Sequence, residues 1–150
     1  MLEELYLERG SPILRLVIPR HLVELVCDIS RAYGKELAGL AVGSAVGGTV
    51  YIEDVVLGEN LSEEERRFLL DPRAVVEAFR FSETIGREVV ALLHTHRCGA
   101  LPSSLDVDGM KLWPIPWVVV DESRCLARAW VLEEGSLREV PVEVSLTKPR

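Results

Sequence analysis

The sequence predicts an α/β fold. Short runs of aliphatic and β-branched residues, typical of strands, alternate with segments whose apolar residues recur at helical spacing. The chain has 150 residues, of which 48% are hydrophobic and 27% are charged, which is the composition of a globular protein with a substantial core. We therefore expect residues 1–150 to form a single domain whose core spans about residues 13–144.

Turn and cap residues divide the chain into seven predicted strands and three predicted helices. Pro19 suits the first turn of a helix, Gly34 is a typical helix end, and Gly47-Gly48 favours a hairpin turn. Pro72 begins a second helical stretch after a polar, charged segment. The predicted elements, in order, are strand 13–18, helix 19–33, strands 37–42 and 49–57, a helix from 72, strand 89–96, helix 105–112, and strands 117–120, 126–132 and 137–144.

Two histidines at the end of the fourth predicted strand are the strongest functional signal. His94 and His96 lie two residues apart, so their imidazoles point to the same face of an extended strand. Asp106 follows ten residues later, in the first turn of the next predicted helix. Two imidazoles and one carboxylate suit Zn²⁺ and leave its fourth position open for water, as in catalytic zinc sites. The alternative is a coincidental histidine pair beside a helix-capping acid.

The loop that joins the histidines to this helix leaves two questions open. Either Ser103 or Ser104 can cap the helix, which starts near Leu105. Cys98 lies in the same loop, and its thiolate is an alternative metal ligand. We interpret Cys98 as a bystander, because Asp106 already completes the ligand set.

These residues resemble the signature of the JAMM (MPN-plus) metalloproteases. That family has a distant glutamate, then His-Ser/Thr-His, about seven residues, and Ser-x-x-Asp. His94-Thr95-His96, followed by Ser103 and Asp106, is similar to this pattern. The stretch from Lys35 to Gly43 resembles the family's Glu-x-x-Gly-Leu-Leu-x-Gly sequence, which makes Glu36 the candidate for the upstream glutamate. The alternative for Glu36 is a solvated charge, one of 24 acidic residues.

The chain departs from the family pattern at two positions. Six residues separate His96 from Ser103 instead of seven, and Arg97 stands where a proline usually follows the second histidine. A register that starts from Ser104 would put Val107 at the ligand position, and valine cannot bind a metal. The Ser103 register therefore matches better. Arg97 is either a contact for the substrate or a solvated loop residue.

The resemblance implies a fold, an activity and roles for the site residues. The order of predicted elements matches the MPN-like (cytidine-deaminase-like) mixed β-sheet flanked by helices. The implied activity is that of a zinc-dependent isopeptidase or peptidase that cleaves after the C-terminal tail of a ubiquitin-like or sulfur-carrier modifier. Glu36 would act as a general base and then as an acid. Ser103 would hydrogen-bond the oxyanion, or serve only as a helix cap.

Two other functions are compatible with parts of the sequence. A non-catalytic MPN-type scaffold is the main alternative, although such relatives generally lose the metal ligands. A zinc deaminase is a second alternative, but those enzymes use a Cys-x-x-Cys pair, which this chain lacks.

Composition limits the partners and the compartment. A net charge of −7 argues against nucleic-acid binding, and no apolar run approaches the ~20 residues of a membrane helix. The acidic start lacks a signal-peptide pattern, and three scattered cysteines favour reduced thiols in a cytoplasmic protein. The segment from Gly58 to Asp71 is a recognition loop for the modifier, an ordinary connection with a buried Phe68, or a homodimer interface.

Overall fold

The computed structural model describes residues 12–63 and 69–146, and the structural statements that follow refer to them. These residues form a mixed sheet flanked by helices, which confirms the predicted fold class. None of the helices is long and apolar enough to span a membrane. The elements are β1 (Arg15–Pro19), α1 (Arg20–Tyr33), β2 (Ala38–Val46), β3 (Thr49–Gly58), α2 (Pro72–Thr84), β4 (Glu88–His96), α3 (Ser104–Leu112), β5 (Trp117–Asp121), β6 (Leu126–Glu133), β7 (Ser136–Val140) and β8 (Val142–Ser145).

The eight strands are ordered β7-β6-β5-β4-β2-β3-β1-β8. The prediction of one strand from 137 to 144 was wrong, because Pro141 separates two strands at opposite ends of this order. Proline has no N–H for a sheet ladder, so it ends β7. The Pro141 carbonyl accepts a hydrogen bond from the Leu16 amide at 2.9 Å, and β8 then pairs in parallel with β1. Since one residue joins the two edge strands, the sheet must curl around the core.

The sheet has a hydrophobic cluster on each face. Leu22, Val23 and Val26 of α1 belong to one cluster, whereas Ala78 of α2 and Met110 of α3 belong to the other. Strand β4 is buried on both faces, as its continuous apolar run predicted. Because β4 is a central strand of the sheet, its C-terminal end lies in the protein interior, between the two layers of helices.

The hairpin between β2 and β3 confirms the predicted turn and extends beyond the predicted strand. Gly47 and Gly48 have φ values of 57° and 82°, a conformation that favours glycine. β2 was expected to run from Leu37 to Val42, but it begins at Ala38 and continues to Val46. A bulge between Val42 and Gly43 permits this continuation. A Cβ at Gly43 would lie 1.8 Å from the Tyr51 carbonyl oxygen, so only glycine fits there.

The expectation of reduced thiols was wrong for two of the three cysteines. Cys27 of α1 and Cys125 of the turn between β5 and β6 form a disulfide, with Cα atoms 5.8 Å apart. Their sequence separation of 98 gave no indication of this proximity. Cys98 is free and exposed.

Part of the segment from Gly58 to Asp71 falls outside the described residues, including Glu64, Glu65 and Phe68. The prediction that Phe68 belongs to the core, to a recognition loop or to an interface therefore stays a prediction. Within the described part, Leu70 packs against the core cluster that α2 and α3 cover, whereas Leu69 is 59% exposed.

Candidate metal centre and active site

The end of β4 and the first turn of α3 bring three potential ligands together. The two histidine Nε2 atoms, of His94 and His96, lie 3.0 Å apart, and each lies 3.1 Å from Asp106 Oδ2. Alternation along β4 puts both imidazoles on the side of the sheet that α3 covers. His94 and Asp106 are buried, and His96 is partly buried. Within the described chain these three residues form a grouping that could hold a metal ion.

Hydrogen bonds alone do not satisfy this triangle. If both Nε2 atoms carried protons and donated to Asp106, the two N–H groups would face each other across 3.0 Å. If one Nε2 atom were unprotonated, its lone pair would face the carboxylate oxygen instead. A cation held by all three atoms removes both conflicts, because each atom then presents a lone pair. The donor set of two imidazole nitrogens and one carboxylate oxygen therefore fits a metal such as zinc.

Electrostatics around the triangle favour the metal-binding forms of His94 and Asp106, whereas they favour the protonated form of His96. Complete burial lowers the pKa of His94 and favours the neutral imidazole. Burial opposes ionisation of Asp106, but hydrogen bonds from His94 and His96 outweigh it and hold the pKa of Asp106 well below its ordinary value. Burial also lowers the pKa of His96, but its contact with Asp106 outweighs burial and raises that pKa overall.

A capping box at the start of α3 positions Asp106. The Ser103 hydroxyl accepts a hydrogen bond from the Asp106 amide at 3.1 Å, and the Ser103 amide donates to Asp106 Oδ2 at 2.8 Å. Ser103 rather than Ser104 is therefore the N-cap. The cap uses the Ser103 oxygen as an acceptor, so its O–H proton remains available to donate to another group. The loop that is one residue shorter than the family pattern still delivers Asp106 to both histidines.

Glu36 approaches the triangle from the connection between α1 and β2. Its Oε1 lies 3.7 Å from His96 Nε2, and the residue is 8% exposed, so it is not the solvated charge of the alternative interpretation. It lies two residues before the start of β2. Burial raises the pKa of Glu36 to about 7, His96 opposes this rise, and Asp106 adds to it. A carboxyl group with such a pKa can both accept and release a proton near neutral pH.

Several residues around this site were not predicted from the sequence. Asn60 Nδ2 donates to the Glu36 carbonyl at 2.7 Å, and Thr95 bonds the backbone of Leu37. The Trp117 ring meets His94 edge to face, with ring centroids 5.5 Å apart. No local pattern indicates the role of Asn60, because it stands in a polar segment far from the histidines in sequence.

Two residues of the short loop, Arg97 and Cys98, are not part of the grouping of potential metal ligands. Arg97 Nη2 donates a hydrogen bond to the Gly34 carbonyl at the end of α1. Arg97 thus connects the loop to α1. Cys98 lies outside the grouping of potential ligands, which agrees with its interpretation as a bystander.

Comparison with known proteins assigns the chain to a family. The family model described as prokaryotic homologs of the JAB domain matches residues 19–133, so the chain belongs to the Prok-JAB family. Membership of this family, with a His-His-Asp grouping that fits the JAMM motif, makes the chain a JAMM-type peptidase.

Two curated relatives align over most of their length. A desampylase from Pyrococcus furiosus is 30% identical over 135 residues, which cover 86% of this chain and 90% of the relative. A probable TtuB-protein conjugate cleaving protease from Thermus thermophilus is 31% identical over 123 residues, which cover 80% and 78%. A solution structure of a Desulfitobacterium hafniense protein has the same fold, with a TM-score of 0.79, 18% identity, and coverage of 89% and 94%.

Proposed function

We propose that this chain is a zinc-dependent isopeptidase or peptidase that cleaves after the C-terminal tail of a ubiquitin-like or sulfur-carrier modifier protein. The observation that carries the proposal is the convergence of His94, His96 and Asp106 with a buried glutamate 3.7 Å from His96. The names of the two curated relatives support a modifier, or its protein conjugate, as the substrate and partner. An intact ligand set argues against the scaffold alternative.

In this proposal His94, His96 and Asp106 hold the zinc ion. Bound there, zinc would act as a Lewis acid that activates a water molecule and polarises the scissile carbonyl. The protein's own contribution is geometric: two strand residues on one face and a helix-capping carboxylate present their ligand atoms together without rearrangement. The interior location of His94 and Asp106 shields these ligands from competing water.

Glu36 is proposed as the general base and then the general acid. Its pKa of about 7 lies near the operating pH, where a carboxylate takes up a proton most usefully. A cation beside it would favour the ionised carboxylate, which is the form that a base requires. The carboxyl group would take a proton from water and return it to the leaving amine nitrogen.

Ser103 is proposed as a hydrogen-bond donor to the oxyanion. Its oxygen already accepts from the Asp106 amide, so its O–H can be directed toward the substrate. Loss of one such donor typically lowers turnover by ~10²–10³. The capping and catalytic roles of Ser103 are therefore compatible.

Cleavage of defined conjugates tests the proposed function. Purified chain, loaded with zinc, is incubated with a ubiquitin-like modifier joined to a target by an isopeptide bond, and with a linear fusion. We expect cleavage at the end of the modifier tail.

Glu36→Gln should retain zinc, and its kcat should fall by a factor of about 10²–10⁴. Glu24→Gln, at an exposed position on α1, is the matched control and should cleave normally. Wild-type turnover by Glu36→Gln would contradict the assignment of the base.

A further inference from the structure

Glu36 stands on a segment that regular secondary structure does not hold. It lies between the end of α1 at Tyr33 and the start of β2 at Ala38. A proton carrier must nevertheless be held close to one position, because a displacement of about 1 Å can cost ~10² in rate. Two side chains from elsewhere in the chain supply the missing constraint on the backbone around Glu36.

Thr95 holds the backbone on the C-terminal side of Glu36. The Leu37 amide donates to Thr95 Oγ1 at 2.9 Å, and the Thr95 amide donates to the Leu37 carbonyl at 2.9 Å. The Thr95 hydroxyl also bonds the Ser30 hydroxyl at 2.9 Å, and Ser30 bonds the Glu122 carboxylate at 2.7 Å. Thr95 lies between His94 and His96, so one strand residue separates two candidate ligands and holds the backbone beside the candidate base.

Asn60 holds Glu36 through its own carbonyl. Asn60 is 1% exposed, and its Nδ2 donates to the Glu36 carbonyl at 2.7 Å. Its Oδ1 accepts hydrogen bonds from the amides of Ser62 at 2.9 Å and Leu69 at 3.0 Å. A single side chain therefore joins Glu36 to two separate parts of the segment that follows β3.

Those two parts pair with each other. The Leu61 amide donates to the Leu69 carbonyl at 2.8 Å, and the Asp71 amide donates to the Glu59 carbonyl at 3.2 Å. Residues 59–61 and 69–71 thus form a paired stem, with a bridge between Asn60 and Leu70. Asn60 connects this stem to Glu36.

We propose that Asn60 and Thr95 are positioning residues for Glu36, and that Asn60 makes the position of Glu36 depend on the paired stem. The inference rests on the proposed function of Glu36 as the proton carrier. Neither residue touches the reacting atoms. Each acts through the backbone, Asn60 on the Glu36 carbonyl and Thr95 on both polar groups of Leu37.

Conservative substitutions remove one hydrogen bond while they nearly preserve the volume of the side chain, so the effect of the hydrogen bond can be measured by itself. Thr95→Val keeps the shape but removes the Oγ1 acceptor, and Thr95→Ser keeps the hydroxyl. Asn60→Asp keeps an acceptor for the Ser62 and Leu69 amides but removes the Nδ2 donor. We expect Thr95→Val and Asn60→Asp to lower kcat by about 10-fold to 100-fold, with KM and zinc content nearly unchanged. Thr95→Ser should restore kcat to within about threefold of the wild type.

A double-mutant cycle with Glu36→Gln tests whether the effect passes through Glu36. In that background no carboxylate remains to be positioned, so Thr95→Val and Asn60→Asp should each change the residual rate less than about twofold. The same fold loss in both backgrounds would indicate a general structural effect and would overturn the proposal.

Amide hydrogen exchange of the zinc-loaded protein provides a readout without turnover. Thr95→Val and Asn60→Asp should accelerate exchange in residues 36–38, whereas Thr95→Ser should not. If exchange were unchanged in both variants, the proposal that Asn60 and Thr95 hold the backbone around Glu36 would be overturned, even if kcat fell. If the wild type cleaved no conjugate, the proposed function would fail. Faster exchange in Thr95→Val and Asn60→Asp would still show that these two side chains hold the backbone around Glu36.

Discussion

The ligand atoms of His94, His96 and Asp106 meet because each residue follows a simple local rule. Two strand residues of the same parity share a face, and an acidic residue in the first turn of a capped helix turns back toward its cap. Hydrogen bonds among these three atoms conflict with one another, and a cation shared by all three would remove the conflict. If these residues hold a metal as proposed, metal binding would stabilise this region.

His96→Ala should abolish the stabilisation of the protein by zinc. We expect the wild type to hold about one zinc ion per chain and to gain stability on zinc addition, by about 2.7 kcal/mol at 100 times the dissociation constant. Because the variant loses one of three ligands, its zinc content and its zinc-dependent rise in Tm should both disappear. Elemental analysis and thermal unfolding with and without zinc measure the two effects.

His21→Ala is the matched control, since His21 is the one remaining histidine of the sequence and lies on α1, outside the grouping of potential ligands. It should bind zinc like the wild type. A zinc response that survives in His96→Ala, or that disappears in His21→Ala, would contradict the assignment of the ligands.

Helix α3 connects the metal triangle to the second core cluster at two points. Its N-terminus carries the Ser103 cap, and its middle places Gly109 against the Trp117 ring. Trp117 in turn meets His94 edge to face. Helix α3 therefore positions the Asp106 side chain directly, and it positions the His94 ring indirectly through Trp117.

Replacement of Ser103 separates its capping role from its catalytic role. Ser103→Ala should destabilise the protein by about 0.5–2 kcal/mol, because the Asp106 amide loses its acceptor, and should also lower turnover. Ser103→Thr keeps both an acceptor and an O–H, so it should retain most of both properties. Ser104→Ala, at the exposed neighbouring position, is the control. Denaturant unfolding and kcat are measured on the same preparations, and a stability loss with normal kcat would leave Ser103 with the cap alone.

Gly109→Ala should destabilise the protein although helix propensity predicts the opposite. Alanine in a helix is favoured over glycine by about 0.8–1.0 kcal/mol. A Cβ at Gly109 would lie 2.5 Å from Trp117 Cη2, so the buried indole must move, at a cost of about 1–3 kcal/mol. Asp108→Ala, at an exposed position in α3, should change stability little. An increase in Tm for Gly109→Ala would show that the Trp117 ring moves aside without strain.

The whole molecule is held together by contacts between distant parts of the chain. The curled sheet joins its two edges through Pro141, and β4 contributes to both core clusters. Shared use of one strand by both clusters supports the proposal that residues 1–150 form one domain. The disulfide between Cys27 and Cys125 attaches α1 to the turn after β5.

Removal of this disulfide should lower global stability. The double substitution Cys27→Ala and Cys125→Ala should reduce the free energy of unfolding by about 2–4 kcal/mol, because the unfolded chain regains the freedom of a long closed loop. Cys98→Ser should leave stability unchanged, since Cys98 is free and exposed. Thiol titration of denatured wild type should find one thiol without reductant and three after reduction. Three thiols without reductant would contradict the disulfide.

The amino-acid sequence by itself determined the features that depend on neighbouring residues. The apolar run of β4, the hairpin at Gly47-Gly48 and the spacing of His94, His96 and Asp106 all act over a few residues. Periods of two and 3.6 residues, together with cap and turn chemistry, are encoded locally and can be read without a structure. The fold class was predicted correctly from these features. β7 and β8 were predicted as one strand, because Pro141 was not treated as a break.

Only the tertiary structure decided which distant residues meet. The resemblance to a family pattern singled out Glu36 among 24 acidic residues, but only the fold shows that it lies 3.7 Å from His96. The fold also brings Asn60 to the Glu36 carbonyl and Cys27 to Cys125. These contacts depend on how strands β2, β4 and β5 are ordered in the sheet, and strand order is set by burial of the whole core. No local period carries that information, because the free energy that selects it is summed over the entire chain.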